Sequence, residues 1–277
     1  MDAPALSFDF SQVPVPFAMR PGLRRVEQAS LRLTPLDPRS PLAAEKRAVF
    51  EAGQSRHVVA GFDPAPALLA LADRSGAGVM RRFTPTDPPE LAFEEDLAVL
   101  DGTTGTLPWL CVCVPSRWAP EEKLGLDFNA LHGPVADNAA LVSASRQLVA
   151  LVTAGECWER QVWTISPCGR YDQHPRRHAR VAWPATDDPA VFAGQCWLRA
   201  ERQTFFPVGQ GTRQAVFTIR VMLRPLADAI KAPWQARRMR DSLASMSPAV
   251  LAYKNLTLAH TPLLRWLESK ALQNETS

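Results

Sequence analysis

The chain has 277 residues, 46% of them hydrophobic and 21% charged, enough for one large domain or two small ones with a substantial core. A net charge of +3 is mild, and no Lys/Arg block of the kind that grips phosphate backbones occurs, so nucleic acid is not an expected partner. Cys111, Cys113, Cys157, Cys168 and Cys196 make an odd set with neither a CxxC nor ferredoxin spacing. That argues against a disulfide framework and against an iron–sulfur cluster on this chain.

The opening MDAPALSFDFSQVPVPF is acidic where a signal peptide needs a basic start, and prolines break it where an apolar run is needed. With no run of about twenty apolar residues elsewhere, a cytoplasmic chain without a membrane span is expected. Pro14, Pro16, Pro21, Pro35, Pro38 and Pro41 predict an extended arm laid over the domain. Helices are then expected over 43–59 and 64–71, followed by a stretch punctuated with glycine and proline over 75–89. LAFEEDLAVLDG and LPWLCVCVPSRW are β-like runs separated by Asp101-Gly102 and Gly105, which predicts a hairpin. Next come a loosely helical stretch over 121–131 and a helix over 138–152, where Leu141, Val142, Leu148, Val149, Leu151 and Val152 recur at helical spacing. Three β-like runs follow over 157–166, 195–206 and 214–223. The tail from Pro225 reads as helical, with Ser247-Pro248 as cap and first turn.

Two strands, a helical crossover and three antiparallel strands predict an α+β fold with one antiparallel sheet, helices on one face, and the PAS order of elements. The expected PAS-like core spans 91–226. Residues 1–90 form an N-terminal arm and helices packed on it, residues 227–277 a C-terminal helical tail, and the whole is one integrated domain.

Five histidines are available: His57, His132, His174, His178 and His260. His132 lies between the second strand and the long helix, and spacing alone leaves it as a turn-capping residue or a metal ligand. His174 and His178 are four apart, but Pro175 intervenes and no glutamate lies between them, so RYDQHPRRHAR reads as an exposed basic loop rather than a zinc site. Glu201, Arg202 and Gln203 form a polar cluster on an expected core strand, where alternation puts Glu201 and Gln203 on one face and Arg202 on the other. They line a pocket or form a structural Arg–Glu pair at a sheet edge, because a buried charge needs a partner. Arg160 and Trp163 carry the same two readings. Arg220 and Arg224 are anion-binding or solvated. Cys111 and Cys113, placed on one strand face, are either thiolate ligands or buried free thiols. Gly209-Gln210-Gly211 joins two strands and reads as a hairpin turn, not a phosphate loop.

Read in order, PFAMRPGLRR, TPLDP, CVPSRWAPEEKLGLDFNALHGPV, RAERQTFFPV, AVFTIRVMLRPL and AYKNL resemble the haem-dependent oxidative N-demethylase alpha-subunit-like family over most of the chain. Three positions depart from its pattern: Val162 in Arg160-Gln161-Val162-Trp163 replaces the asparagine of Arg-x-Asn-Trp, Gly133 stands for alanine, and Phe205 for leucine. The resemblance implies a PAS-like subunit carrying haem b that uses O₂ to oxidise a small secondary amine, as a monooxygenase that releases formaldehyde through a carbinolamine. It implies electrons from a separate flavin and iron–sulfur reductase subunit, a folate-binding subunit as a further partner, and no flavin or cluster on this chain. It also implies His132 as the axial ligand of iron, Glu201, Arg202, Gln203, Arg160 and Trp163 around the reacting amine, and Arg220 and Arg224 toward the haem propionates. The lost amide at Val162 leaves a second reading open, a non-catalytic PAS-like sensor or binding protein for haem or another small ligand.

Overall fold

The computed structural model describes residues 8–28, 30–75 and 83–272. The N-terminal arm is largely extended and adds one short strand, β1 (Arg24–Val26). Phe8, Phe10 and Val13 of the arm are buried in the main core, and Leu31 and Leu33 in a second cluster. Ser40 then caps α1 (Pro41–Glu51), its hydroxyl accepting from the Ala43 N–H at 3.1 Å with Pro41 in the first turn. The helix expected to run to residue 59 stops here. Gly53 enters the left-handed region at φ +67°, and the chain leaves it as β2 (Arg56–Val58), paired to the second hairpin strand. Then come α2 (Ala65–Arg74), α3 (Pro89–Ala92) and the hairpin of β3 (Asp96–Asp101) and β4 (Trp109–Cys111). At its turn a Cβ on Gly102 would collide with the Thr153 side chain and the Arg213 carbonyl, so glycine is required there.

The crossover comprises α4 (Phe128–His132), α5 (Ala139–Ser143) and α6 (Ser145–Val152). After it, β5 (Cys157–Ser166), α7 (Pro189–Gly194), β6 (Trp197–Pro207) and β7 (Gln214–Pro225) complete the sheet, with Gly209-Gln210-Gly211 in the turn between the last two strands. The tail forms α8 (Leu226–Ala229), α9 (Pro233–Ala244), α10 (Pro248–Tyr253) and α11 (His260–Leu272), and the Ser247 hydroxyl caps α10 at Val250 N.

The seven strands of the described residues form one antiparallel sheet in the order β1-β5-β6-β7-β3-β4-β2. Read from the β2 end, and setting aside the short outer strands β1 and β2, the inner strands lie second, first, fifth, fourth and third in chain order. Helices cover both faces rather than the expected one. The cause is visible in β3, where Leu97 and Val99 are buried on one side and Ala98 and Leu100 on the other, since a strand apolar on both sides needs cover on both. The C-terminal helices pack with Trp163, Ile165, Leu198, Ala200 and Met222 on the back face. Residues of the crossover pack with Trp158, Phe205 and Phe217 on the front. Behind the sheet entrance, Lys46 of α1 is wholly buried, its Nζ donating to the carbonyls of Phe93, Glu94 and Glu95 at 3.0, 3.2 and 2.8 Å and lying 3.2 Å from Asp96.

Candidate functional site

The register of β5 and β6 decides which side chains meet. Arg160 lies opposite Gln203 and Val162 opposite Glu201, so these four share the front face with Thr164, Arg199 and Phe205. Side chains on that face form one hydrogen-bonded chain. Arg160 Nε donates to Gln203 Oε1 at 2.6 Å, and Gln203 Nε2 donates to Glu201 Oε2 at 2.7 Å. The Ser116 hydroxyl donates to the other Glu201 oxygen and accepts from Arg199 Nε at 2.7 Å. Arg199 is buried and also donates to the Val114 carbonyl at 3.0 Å, which fixes the far end. Burial draws the Arg160 and Arg199 guanidinium groups below their ordinary range, and the Glu201 charge opposes this for both. The Glu201 carboxylate is therefore held by neutral donors while guanidinium groups stand one residue further out on each side.

His132 ends α4 on the same side of the sheet. Its Nδ1 lies 2.8 Å from the Phe128 carbonyl, four residues back, and its ring stacks on the Phe128 ring at 4.0 Å between centroids. A carbonyl oxygen only accepts, so Nδ1 carries the hydrogen and Nε2 keeps its lone pair. Burial, reinforced by the charges of Arg160 and Lys123, holds the imidazole below its ordinary pKa despite the Phe128 bond. The neutral ring is the form that binds a metal. Phe128 and Leu131 beside it pack with Trp158, Phe205 and Phe217, and Phe205 stacks on Phe217 at 4.5 Å. The Trp158 Nε1 is buried there without a hydrogen-bond partner among the described residues.

Comparison with protein families matches residues 90–264 to the haem-dependent oxidative N-demethylase, alpha subunit-like family, which is more than half of the chain. The chain belongs to this family. A search of curated proteins returns no match.

For a member of the haem-dependent oxidative N-demethylase, alpha subunit-like family, the residues on the front face fit a haem. A neutral imidazole with Nδ1–H locked to a carbonyl has the donor chemistry that haem iron takes, and aromatic rings flank it. Among the described residues no group of three or more His, Cys, Asp or Glu is placed to hold a bare metal ion. His174 and His178 turn to different carboxylates, Glu121 at 3.1 Å and Asp172 at 3.0 Å. Their loop is not the exposed basic loop expected. Asp172, Gln173 and His174 are buried because the Asp172 carboxylate accepts from Arg177 at 2.8 Å and from the His174 N–H at 2.9 Å, drawing the segment inward. Cys111 and Cys113 do not share a face: β4 ends at Cys111, which joins the back cluster, and Cys113 joins a front one. Burial pushes both thiols well above their ordinary range, which disfavours a thiolate ligand.

The structure links Arg160, Gln203 and Glu201 on the front face and puts His132 on the same side, within the field of Arg160. Arg202 lies on the back, where its Nε donates to Glu159 at 2.6 Å. Arg220 stands directly across from Arg202 and donates to Glu94 at 2.7 Å. Trp163 packs into the back cluster 6.5 Å from Phe17, and Arg224 lies across from Leu198 of that cluster. Sequence reading missed Ser116, Arg199 and Lys254. Arg199 was accessible to it, because residues 199, 201 and 203 repeat at the strand period. Ser116 and Lys254 come from other segments, and only the folded sheet brings Ser116 to Glu201. No helix of the described residues is long and apolar enough to cross a membrane.

Proposed function

We propose that this protein binds haem b through His132 in a PAS-like core and serves as the oxygen-using subunit of an oxidative N-demethylase acting on a small secondary amine. The observation that carries the reading is the neutral, Nε2-open His132 within the field of Arg160, which Gln203 ties to a carboxylate held by neutral donors. The second–first–fifth–fourth–third strand order with its helical crossover supports the PAS-like assignment, in which residues 91–226 hold the cofactor and 1–90 and 227–277 pack on it as one domain. Bound haem supplies the activation of O₂. The chain's own residues bind and orient. Glu201 is offered to a secondary ammonium, since the direct partners of its two carboxylate oxygens, Ser116 and Gln203, are neutral donors. Gln203 ties that carboxylate to Arg160, whose position sets the polarity around His132. The aromatic side chains Trp158, Phe205 and Phe217 exclude water beside it. Electrons are assigned to a separate flavin and iron–sulfur reductase subunit and the formaldehyde to a folate-binding subunit; the alpha-subunit-like family name supports the existence of further subunits.

Absorption spectra of the purified protein, oxidised, reduced and with CO, test the cofactor. His132→Ala is expected to lose the Soret band and most bound haem; an unchanged spectrum and haem content would remove His132 from the role. A second reading, a gas or ligand sensor without turnover, is favoured by one feature: Val162 puts an apolar side chain directly across from Glu201, where the family pattern has an amide. Formaldehyde release from secondary amines with a reductase present supports the enzyme. Reversible CO or NO binding with no product supports the sensor.

A further inference from the structure

Arg117 follows the serine that donates to Glu201, and its backbone lies in the left-handed region at φ +67°. A non-glycine residue there is strained and is held by its surroundings. Its side chain lines a cavity of about 60 Å³ together with Thr164, Ser166, Arg180, Lys254 and Asn255. No Asp or Glu is among the described residues lining it. The three cations have neutral hydrogen-bond partners or none. Arg180 Nη1 donates to Asn255 Oδ1 at 2.7 Å and Lys254 Nζ to the Trp163 carbonyl at 2.9 Å, while Arg117 makes no hydrogen bond or ion pair among the described residues. Burial disfavours the Arg117 charge, and the like charge of Arg180 adds to this. Like charges facing one cavity are relieved when an anion enters between them. The space takes a few waters or a carboxylate and is too small for a nucleotide. Thr164 and Ser166 continue the front face of β5 beyond Arg160 and Val162, and Lys254 lies within the field of Glu201.

We propose that this cavity is a carboxylate subsite adjoining the amine site, in which Arg117 and Arg180 take a carboxylate while Glu201 takes an ammonium on the same face. Its occupant is then the carboxylate of an N-methyl amino acid, a zwitterion rather than a simple dialkylamine, or a propionate of the haem itself. The substrate assignment rests on the amine-oxidising reading above; the capture of a carboxylate does not.

Calorimetric titration of the purified protein with acetate, N-methylglycine and dimethylamine tests it. Saturable acetate and N-methylglycine binding to haem-loaded protein is expected, weakened about tenfold or more in Arg117→Gln and in Arg180→Gln, with dimethylamine affinity unchanged. Arg180 is exposed, so its variant is not at risk of misfolding. If haem-loaded protein ignores acetate but haem-free protein, or protein reconstituted with the dimethyl ester of haem, binds it, the subsite stands with a propionate as its occupant. Acetate binding in none of these forms, or wild-type affinity in both variants, overturns the proposal. Carboxylate binding that Arg180→Gln abolishes, in a protein that releases no formaldehyde, retires the amine-oxidising reading and leaves the subsite in place.

Discussion

Glu159 and Glu201 sit on neighbouring strands of one sheet, on opposite faces, and the molecule treats them differently. On the back, Glu159 is buried and claimed by two guanidinium groups, Arg24 at 2.5 Å and Arg202 at 2.6 Å. Burial pushes its carboxyl up, and the bonds from Arg24 and Arg202 more than offset this, holding it below the ordinary range. On the front, Glu201 is bound by a hydroxyl and an amide, with Arg160 and Arg199 one residue removed. A carboxylate fully paired within the chain has no charge to offer a ligand; one held by dipoles does. Two Arg–Glu groups that look alike in sequence are a structural clamp on one face and a candidate recognition site on the other.

Substitution separates the two most sharply at the clamp. Glu159→Ala leaves Arg24 and Arg202 without their carboxylate, and because both arginines reach solvent it is expected to lower unfolding free energy by about 1.5 kcal/mol in urea titration, while ligand affinities measured on the folded protein stay near wild type. Glu201→Gln keeps the shape of the front network and is expected to change stability by less than about 1 kcal/mol, yet to weaken secondary-amine binding by about tenfold or more. Equal destabilisation by the two variants would make the front network structural as well.

A smaller effect is expected at Lys254. Burial brings its pKa down to about 8 from an ordinary 10.5, with Glu201 opposing the fall. Between these values the unfolded chain holds a proton that the folded one has released, so this group makes stability rise with pH across that window, and its cost is fully present below it. Lys254→Met is expected to remove that rising limb from stability measured between pH 8 and 10.5. The smallest effect is expected at Gly133, whose backbone is already right-handed helical and whose missing Cβ would meet only the Asn129 and Ala130 carbonyls at ordinary contact distance. Gly133→Ala should raise stability by about 0.5 kcal/mol in the same titration and leave the spectrum untouched.

The long strands were legible because their signal is local. Residues 157–166, 197–207 and 214–225 are each a run of ten or more positions rich in Trp, Val, Phe, Ile and Thr, and the caps at Ser40 and Ser247 announce their helices. Alternation also separated Arg202 from Glu201 and Gln203, which is half of the contrast between the faces. What it did not carry was anything set by a distant partner. Nothing near Gly53 says that residues 56–58 will pair with β4, and nothing in a run of arginines and histidines says that Asp172 will gather them into the interior. Lys46 is the extreme case: a lysine on an amphipathic helix reads as solvated, and only three carbonyls and a carboxylate from residues 93–96 make it a core residue. The Ser116–Glu201 bond spans 85 positions and lies in the same class.

The sheet ends on each side in a strand of three residues, β1 and β2. Unpaired sheet edges invite other chains, and natural sheets deter them with brief outer strands and lysine. Beyond β1 the outer rim of β5 presents the Trp163 carbonyl, and the ammonium of Lys254 occupies it. One side chain thereby takes an acceptor that a second copy would need, which makes this stretch of rim a poorer template for another strand whatever the depth of the core.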